Sequence, residues 1–278
     1  MERKFFRYLP EYNAFGIADE EVKDLFCLEL DADAYARLGV SVPDEEAPKI
    51  AFLSGREEGH YTIDFSYAYA IAQTGARIIL LDYAHYVHQL HGCHGLVLPG
   101  GAFASPKQYY VEEMNKSLLP EPGARSWAYV QSYHWALMFG IPVLGICAGA
   151  QIIAGECGGL LYPNESFLSG TILHKTKEMQ AHEINIVPGS FLHKLLRVLR
   201  LVVNSRHKET LAEMSPVSGF EIYAQAPDGV PEAWGSRADH ILCVQWHPED
   251  YVVAGDKRHA RIYEWLTDEA VAFQRSCI

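Results

Sequence analysis

The amino-acid sequence predicts an α/β fold with a largely parallel sheet that is covered by helices on both faces. From Lys49 onward, short apolar segments alternate with segments of helical periodicity, which is the pattern that βαβ units produce. Three motifs rich in glycine or in reactive side chains each follow a predicted strand, and sites of open α/β sheets lie at the carboxyl ends of the strands. The sequence therefore predicts a site at that edge of the sheet.

Predicted strands and helices follow one another along residues 49–278. We expect strands at 49–54, 77–82, 95–98, 141–146, 183–187, 201–203, 219–225 and 241–246. We expect helices at about 62–74, 84–91, 125–139, 148–156, 191–198 and 257–275, the last of them amphipathic. The stretch from Gly101 to Arg125 has no strand pattern, so it is expected to be a loop or a helix-loop insert near the mouth of the site.

Residues 1–48 precede the first of these strands and differ from them in composition. They contain twelve Asp or Glu residues against five Lys or Arg residues, which accounts for −7 of the total net charge of −12. The charge is typical of a solvated acidic face, but residues such as Phe5, Phe6 and Phe15 make the segment too apolar for pure disorder. We interpret 1–48 as an acidic extension packed on the catalytic domain (49–278) or on a partner.

A cysteine lies at the centre of the most informative motif, Gly145-Ile146-Cys147-Ala148-Gly149. An apolar strand leads into it and a helical segment follows, which is the pattern of a nucleophile elbow, a turn so tight that its flanking residues must be small. Cys147 would lie at a helix N-terminus, where the backbone dipole favours the thiolate. A lone cysteine is more often a small buried hydrophobic residue, but this context predicts a nucleophile.

A candidate base follows another apolar strand about a hundred residues later. His247 is the first residue of His247-Pro248-Glu249, and an imidazole there could take the thiol proton while the carboxylate of Glu249 fixes its tautomer. Pro248 stiffens the backbone between the two. Most histidines in a chain are solvated or satisfied in the core, but this combination with the cysteine elbow favours a catalytic role.

A third strand, 95–98, ends in Pro99-Gly100-Gly101. Acyl transfer generates an oxyanion, which two convergent backbone N–H groups stabilise best where no side chain blocks the approach. We therefore assign the oxyanion hole to the N–H of Gly101 or of its neighbour Gly100, together with the N–H of Ala148. A Pro-Gly-Gly turn alone is more often an ordinary loop turn without a functional role.

Together these motifs resemble a known family. GICAGAQ, VQWHPED, LVLPGG, VNSRH (203–207) and APDGVPEAW (226–234) occur in the order seen in class I glutamine amidotransferase-like proteins. Within that group the chain is most similar to the stand-alone γ-glutamyl hydrolases of the cysteine peptidase type, including γ-glutamyl-γ-aminobutyrate hydrolase. The resemblance covers about residues 49–251 and implies a flavodoxin-like three-layer α/β/α sandwich.

The resemblance also implies a chemistry and a set of site residues. It implies a triad of Cys147, His247 and Glu249 that hydrolyses a small-molecule γ-glutamyl amide through a thioester, with no metal and no organic cofactor. It assigns the edge of the substrate cleft to five further residues: Gln151, His182, Asn204, Ser205 and His207. A homodimer is a further implication of the family, and a protein partner is a candidate for the N-terminal extension.

The sequence departs from the family pattern in two places. Hydrolases of this group usually carry arginine directly after the nucleophile, whereas this chain has Ala148. The segment 124–128 also lacks the Arg-Asp pair that is typical of the family near that position. The chemistry therefore looks intact, while the substrate specificity looks altered.

Composition excludes several other classes of protein. A net charge of −12 argues against nucleic-acid binding, which needs clustered Lys and Arg. No apolar run approaches the roughly twenty residues of a membrane span. The six cysteines show no paired close spacing and the N-terminus has no apolar signal core, so we expect a cytoplasmic protein without disulfide bonds.

Four histidines recur at every third residue from 85 to 94: His85, His88, His91 and His94. On a helix each step of three residues falls about 60° short of a full turn, so the row spirals around the axis and only neighbouring pairs could share an ion. Gly92 also breaks the helix before the last of them. We interpret the row as a polar helix face and predict no metal site there.

Three other functions fit the same motifs. The chain could be a glutaminase subunit that supplies ammonia to a separate synthetase, although Trp246 before the histidine resembles the hydrolase branch. It could be a γ-glutamyl transferase or ligase, because the sequence does not decide whether water or an amine accepts the acyl group. It could also be a non-catalytic binding protein on the same scaffold, which the loss of arginine at Ala148 would favour.

Overall fold

The computed structural model describes residues 3–22, 27–112, 114–163, 172–214 and 219–277. Leu25 and Phe26, which contribute to the apolar content of the N-terminal segment, lie outside these residues. The chain divides into two units. The first consists of Met1–Val97, His134–Val143 and Glu249–Ile278, and the second of Leu98–Tyr133 and Leu144–Pro248. No helix in the described part of the chain is long and apolar enough to cross a bilayer.

The strands are numbered in chain order. They are β1 (Arg3–Leu9), β2 (Ala14–Ala18), β3 (Cys27–Leu30), β4 (Lys49–Leu53), β5 (Gly55–Glu57), β6 (His60–Asp64), β7 (Arg77–Leu81), β8 (Gly95–Leu98), β9 (Val143–Ile146), β10 (Leu160–Pro163), β11 (His182–Ile186), β12 (Arg200–Val203), β13 (Glu209–Glu213), β14 (Glu221–Gln225), β15 (Pro231–Ser236) and β16 (Ile241–Val244). The helices are α1 (Ala32–Arg37), α2 (Phe65–Ala72), α3 (Tyr86–Leu90), α4 (Ala124–Phe139), α5 (Ala148–Glu156), α6 (Phe191–Leu196), α7 (Pro248–Val253) and α8 (Lys257–Ser276).

Parallel strands form the middle of the first unit, where the order is β8-β4-β7-β3-β1-β2-β6-β5. Strand β4 pairs in parallel with β7, with Ile50 opposite Ile78, and in parallel with β8, with Phe52 opposite Val97. All four side chains are buried. Continuous apolar runs of this kind are typical of strands that are covered on both faces.

The long C-terminal helix of this unit is built as the sequence predicts. Asp256 caps α8 by accepting a hydrogen bond from the Arg258 backbone N–H at 2.8 Å. Its apolar face packs beside β8, because a Cβ atom at Gly95 would lie 3.5 Å from Leu266 Cδ1 and 3.4 Å from Ala270 Cβ. The glycine therefore leaves room for the helix to approach the strand closely.

The predicted helix at 62–74 is wrong in its first turn. Residues 60–64 form β6, and α2 begins only at Phe65. Strand β6 pairs antiparallel with β2, with Phe15 opposite Ile63. Hydrogen bonds from the N-terminal segment therefore help to make residues 60–64 a strand, which the local sequence pattern does not indicate. The predicted strands at 49–54, 77–82, 95–98, 141–146, 183–187, 201–203, 219–225 and 241–246 all have counterparts, with ends that shift by up to two residues.

Residues 1–48 contribute strands to the first unit. In addition to the β2–β6 pair, β3 pairs antiparallel with β7. The two strands are joined by a buried ion pair in which Arg77 Nη2 lies 2.6 Å from Glu29 Oε2, with side-chain exposures of 8% and 10%. The same guanidinium donates through Nη1 to the Glu45 carbonyl at 2.8 Å. The division of the chain into an extension and a catalytic domain stays a prediction.

Antiparallel pairing dominates the second unit, where the strand order is β12-β11-β14-β15-β16-β9. Strand β15 lies between β14 and β16, with Trp234 opposite both Ile222 and Cys243. Strands β10 and β13 form a separate two-stranded sheet, with Leu161 opposite Leu211. The predicted insert at 101–125 is mainly loop, with short 3-10 turns at Lys107–Tyr109 and Lys116–Leu118.

Removal of the carboxylate at Glu29 should destabilise the first unit strongly. Glu29→Ala leaves the buried Arg77 guanidinium without its counter-charge, and breaking a buried pair in this way typically costs about 3 kcal/mol or more. The matched control is Glu20→Ala, at an exposed acidic residue of the same segment, which should change stability by less than about 0.5 kcal/mol. Urea unfolding checks both values, and equal midpoints would contradict the prediction.

Candidate active site

Cys147 occupies a strained turn between β9 and α5. Its backbone angles are φ 51° and ψ −110°, in a region that residues with a side chain rarely adopt. Its N–H donates to the Val244 carbonyl at 2.8 Å, and its carbonyl accepts the Gln151 N–H at 3.0 Å as the first turn of α5 forms. The strand–turn–helix predicted from the sequence is thus present, with the thiol at its tip.

The small residues around Cys147 are required by close backbone contacts. A Cβ atom at Gly145 would lie 2.7 Å from Ile153 Cδ1 and 3.0 Å from Ala150 Cα, and a Cβ atom at Gly149 would overlap the Leu98 carbonyl oxygen. The Gly149 N–H donates to the Pro99 carbonyl at 3.2 Å. The glycine spacing in the sequence therefore reflects the contact of the elbow with the end of β8.

A cavity of about 740 Å³ opens at this turn, and the residues that line it all belong to the second unit. Six of the predicted site residues line it, namely Gly101, Cys147, Ala148, Gln151, His207 and His247. Five others do not, namely Gly100, His182, Asn204, Ser205 and Glu249. The structure therefore brings the predicted nucleophile, base and oxyanion donors to one cavity, and gives several of the predicted substrate contacts other neighbours.

Asn204 holds the backbone of His247 from both sides. Its Oδ1 accepts the His247 N–H at 2.8 Å, and its Nδ2 donates to the His247 carbonyl at 3.0 Å. The Asn204 side chain is fully buried. Asn204 thus fixes the position of the candidate base rather than lining the cavity.

Gln151 ties the first turn of α5 to strand β13. Its Nε2 donates to the Glu209 carbonyl at 2.7 Å and lies 3.2 Å from Gln245 Oε1. The Glu209 carboxylate in turn accepts from Ser105 Oγ at 3.2 Å and from the Tyr110 hydroxyl, and its burial raises its pKa above the ordinary value. This part of the cavity lining is therefore a connected polar network.

Arg125 organises the Pro99-Gly100-Gly101 turn and was not anticipated as a site residue. Its Nη2 donates to the Gly100 carbonyl at 3.2 Å and to Tyr129 Oη at 3.1 Å, and Tyr129 Oη donates to the Pro99 carbonyl at 3.1 Å. A Cβ atom at Gly101 would overlap the guanidinium. Because C=O and N–H point in opposite directions across a trans peptide, the contact turns the Gly101 N–H away from Arg125.

The cavity also carries charged side chains that the sequence did not single out. Three cations line it, Arg125, Arg206 and Lys208, together with the two carboxylates Glu121 and Glu209. Arg125 lies in the first turn of α4, Glu209 is the first residue of β13, and the other three lie in loops, where no local periodicity marks a site. Their presence means that the cavity can pair both with an anionic and with a cationic group of a ligand.

Glu249 belongs to the first unit, where it lies in α7 with 1% of its surface exposed. Its Oε2 accepts a hydrogen bond from Tyr263 Oη at 3.4 Å. Burial, followed by the carboxylate of Glu249, raises the pKa of the Tyr263 hydroxyl well above its ordinary value. The pairing of Glu249 with His247 stays a prediction.

His182 and Ser205 contact a buried group of histidines and acids in the second unit. The Ser205 hydroxyl donates to the His174 carbonyl at 2.8 Å. His182 Nε2 lies 3.4 Å from Glu232 Oε1. Burial alone would raise the pKa of Glu232, but the surrounding imidazoles, His174 first among them, more than offset this and hold it at about 2.

The row of histidines from 85 to 94 does not gather at a point. His85 Nδ1 lies 3.1 Å from Asp82 Oδ2, while His94 Nδ1 accepts the Lys49 backbone N–H at 3.0 Å. Over the described residues, the group of potential metal ligands whose donor atoms converge is a different one, formed by His174, His182 and Glu232.

Comparison with known proteins finds a matching family and several similar sequences. The Peptidase C26 family model matches residues 47–249. A glutamine amidotransferase-like protein of Lactococcus lactis is 34% identical over 55% of this chain and 65% of its own length. A Mycobacterium tuberculosis protein assigned by its name to the glutamine amidotransferases is 29% identical over 66% of this chain and 58% of its own length. The chain thus spans less than two thirds of the length of these relatives.

Solved structures share the fold at low sequence identity. A Thermoplasma acidophilum protein described as part of a GMP synthase superposes with a TM-score of 0.60 and 17% identity, covering 83% of this chain and 98% of its own. The glutaminase domain of Trypanosoma brucei CTPS gives a TM-score of 0.56 and 19% identity, covering 81% of this chain and 94% of its own. The predicted α/β fold with a mostly parallel central sheet is confirmed.

A methyl group at Gly149 should disrupt the elbow. In Gly149→Ala the new Cβ would overlap the Leu98 carbonyl oxygen, and relieving such an overlap in a packed backbone typically costs about 2 kcal/mol or more. Gly123→Ala is the matched control, because a Cβ there meets nothing within 4 Å. Urea unfolding of the two variants measures the difference in their free energies of unfolding. A Gly149→Ala variant as stable as the control would contradict the close contact between Gly149 and the Leu98 carbonyl.

Proposed function

Because the chain belongs to the Peptidase C26 family, we propose that it is a cysteine-dependent hydrolase that cleaves γ-glutamyl amide bonds through a thioester on Cys147. The observation that carries the proposal is the position of Cys147 at a positive-φ elbow, in a cavity that His247 also lines. Strained backbone at the tip of a strand–turn–helix is where α/β hydrolases hold their nucleophile.

The proposed reaction proceeds in two acyl-transfer steps. The Cys147 thiolate attacks the γ-carbonyl carbon, and the N–H groups of Gly101 and Ala148 stabilise the oxyanion. His247 gives a proton to the departing amine as the C–N bond breaks and the thioester remains. His247 then takes a proton from water, whose oxygen displaces the thiolate and releases glutamate. Glu249 is the proposed orienting carboxylate for the imidazole.

The charged lining of the cavity supports a γ-glutamyl group as the acyl part of the substrate. Such a group carries an α-carboxylate and an α-ammonium. The cavity is lined by the cations Arg206 and Lys208, which can pair with the carboxylate, and by Glu121 and Glu209, which can pair with the ammonium. We propose that Arg206 and Lys208 take over the positive positioning charge that Ala148 does not provide. The leaving amine would occupy the remainder of the cavity.

A glutaminase is the second candidate, and the names of relatives favour it. One relative is named anthranilate synthase component 2 from Archaeoglobus fulgidus, with 30% identity over 131 residues, and the structural neighbours are described as part of a GMP synthase and as a glutaminase domain. In that case the amine released is ammonia and a synthetase is the partner. A strong preference for free glutamine over γ-glutamyl amides with larger leaving amines would favour this function. Capture of the thioester by an amine, and a cytoplasmic location, remain predictions.

Replacement of the nucleophile should abolish turnover. Cys147→Ser should lower kcat by at least about 10³-fold, because the weaker nucleophile removes the thioester route. Mass spectrometry of a panel of γ-glutamyl amides and glutamine, incubated with the wild type and with the variant, identifies the substrate and the mechanism together.

The exposed Cys277 provides the control for this experiment. Cys277→Ser should keep wild-type turnover and leave the covalent adduct with a glutamyl chloromethyl ketone on Cys147. Full activity of Cys147→Ser, or an adduct on another cysteine only, would remove the assignment.

Loss of the side-chain amide at Asn204 should lower kcat more than it raises KM. Asn204→Ala removes both hydrogen bonds to the His247 backbone, and a displaced base typically costs up to about 10²-fold in rate. Asn204→Asp keeps the acceptor for the His247 N–H and should be intermediate. Asn185→Ala, at an exposed asparagine of β11, is the control. Equal loss of activity and thermal stability in all three variants would show a general effect on folding instead.

A further inference from the structure

Three imidazoles in the second unit surround one carboxylate oxygen of Glu232. We call these four side chains the imidazole cluster: His174, His182, His207 and Glu232. They come from four separate segments, because His182 lies in β11, Glu232 in β15, and the other two in loops. Their side chains are nearly inaccessible, with exposures of 0% for His174, His207 and Glu232 and 5% for His182.

The spacing of the donor atoms is that of a coordination sphere. Glu232 Oε1 lies 3.2 Å from His174 Nδ1, 3.4 Å from His182 Nε2 and 3.6 Å from His207 Nε2. His174 Nδ1 and His207 Nε2 are 3.2 Å apart. Ligands held at about 2.0–2.1 Å from a tetrahedral zinc ion are separated from one another by about 3.3 Å, which is close to these four distances. Over the described residues, the donor atoms of His174, His182 and Glu232 also lie within 4.8 Å of one another.

Each ring has an inner nitrogen, which faces Glu232, and an outer nitrogen, which lies beside a hydrogen-bond acceptor of another residue. His174 Nε2 lies 2.9 Å from the Asp228 carboxylate, His207 Nδ1 lies 2.8 Å from the Glu209 carbonyl, and His182 Nδ1 lies 3.4 Å from the Glu183 carbonyl. Each of these partners is an acceptor, so the outer nitrogen of each ring can keep the proton when the inner nitrogen binds a metal ion. The three inner nitrogens would then have lone pairs for coordination beside the Glu232 carboxylate.

Lone pairs and a carboxylate that face each other in a buried space repel one another unless a proton or a metal ion lies between them. Neither oxygen of the Glu232 carboxylate meets hydrogen-bond geometry with any described residue, and the same is true of His182 Nε2. A divalent cation bound by the inner atoms would satisfy Glu232 Oε1 and His182 Nε2 at once and would neutralise the two carboxylates Glu232 and Asp228.

We propose that the imidazole cluster is a metal site that binds one divalent transition-metal ion, with Zn²⁺ as the preferred ion. The ligands are His174 Nδ1, His182 Nε2, His207 Nε2 and Glu232 Oε1. Three imidazoles and a carboxylate in a four-coordinate arrangement suit zinc, whereas Ca²⁺ and Mg²⁺ prefer oxygen ligands in greater number.

The surroundings of the cluster form a second layer of support for the ligands. Metal-bound histidines usually donate their other N–H to a carboxylate or to a backbone carbonyl, and Asp228, Glu183 and Glu209 offer these two kinds of acceptor. The Ser205 hydroxyl also donates to the His174 carbonyl at 2.8 Å. These contacts orient the rings toward a common point.

The ion is structural rather than catalytic. All four positions of a tetrahedral ion are taken by protein atoms, and a catalytic zinc keeps one position for water or substrate. The metal would join β11 and β15 to the two loops that carry His174 and His207. Because His207 also lines the cavity, the ion would stiffen one wall of the candidate active site.

Metal content of the full chain, purified without a histidine tag, tests the proposal. Elemental mass spectrometry should find about one zinc per chain in the wild type. Two single variants, His174→Ala and Glu232→Gln, should each lose most of that metal. His88→Ala, at an exposed histidine outside the cluster, should retain it, as should Cys147→Ser, which makes the result independent of the proposed hydrolase activity.

A second measurement guards against variants that fail to fold. Chelator-treated wild type should melt at a lower temperature than the untreated protein and should recover on addition of one equivalent of Zn²⁺, because an ion that binds the folded state alone stabilises it. Co²⁺ added to the same protein should give the intense visible bands of tetrahedral coordination. A wild type without stoichiometric metal, whose melting temperature does not respond to Zn²⁺ or Co²⁺, would overturn the proposal and leave a proton-sharing histidine–carboxylate network in its place.

Discussion

The strained backbone at Cys147 is the constraint on which the candidate site depends. A side-chain-bearing residue at φ 51° costs about 1–3 kcal/mol and persists only when its surroundings determine it. Here the Cys147 N–H is held by the Val244 carbonyl and the Gly149 N–H by the Pro99 carbonyl. The ends of β8, β9 and β16 are therefore fixed against one another by the same turn that presents the thiol, which places the three motifs of the sequence together.

Elements whose information is local could be predicted from the sequence, and elements that depend on distant partners could not. Strands β4, β7 and β8 are continuous apolar runs buried on both faces, so their pattern alone identifies them. The short strands β5 and β6 carry polar side chains; β6 pairs with β2 of the N-terminal segment, and β5 pairs only with β6 among the described strands. Without knowledge of that pairing, residues 62–64 look like the start of the helix that follows.

The same distinction separates the predicted site residues from the missed ones. Cys147, His247 and Gly101 could be found because each lies in a compact motif with a chemical reason for its spacing. Arg125 could not, because its role comes from a contact with Gly100 twenty-five positions earlier in the chain. The motifs around Asn204 and Glu232 were visible in the sequence, but their partners, the His247 backbone and the imidazoles, lie on other segments.

One short segment connects the two polar centres of the second unit. Asn204 holds the backbone of the candidate base, Ser205 holds the carbonyl of His174, and His207 belongs to the imidazole cluster. Two residues later, the Glu209 carbonyl accepts from Gln151 in the helix that begins after Cys147. A displacement of residues 204–209 would disturb the positions of the nucleophile helix and of the base together. An interaction that stabilises the imidazole cluster therefore also restricts the positions of Cys147 and His247 in their cavity. The same contacts thus determine how stable residues 204–209 are and how precisely the two candidate catalytic side chains are positioned.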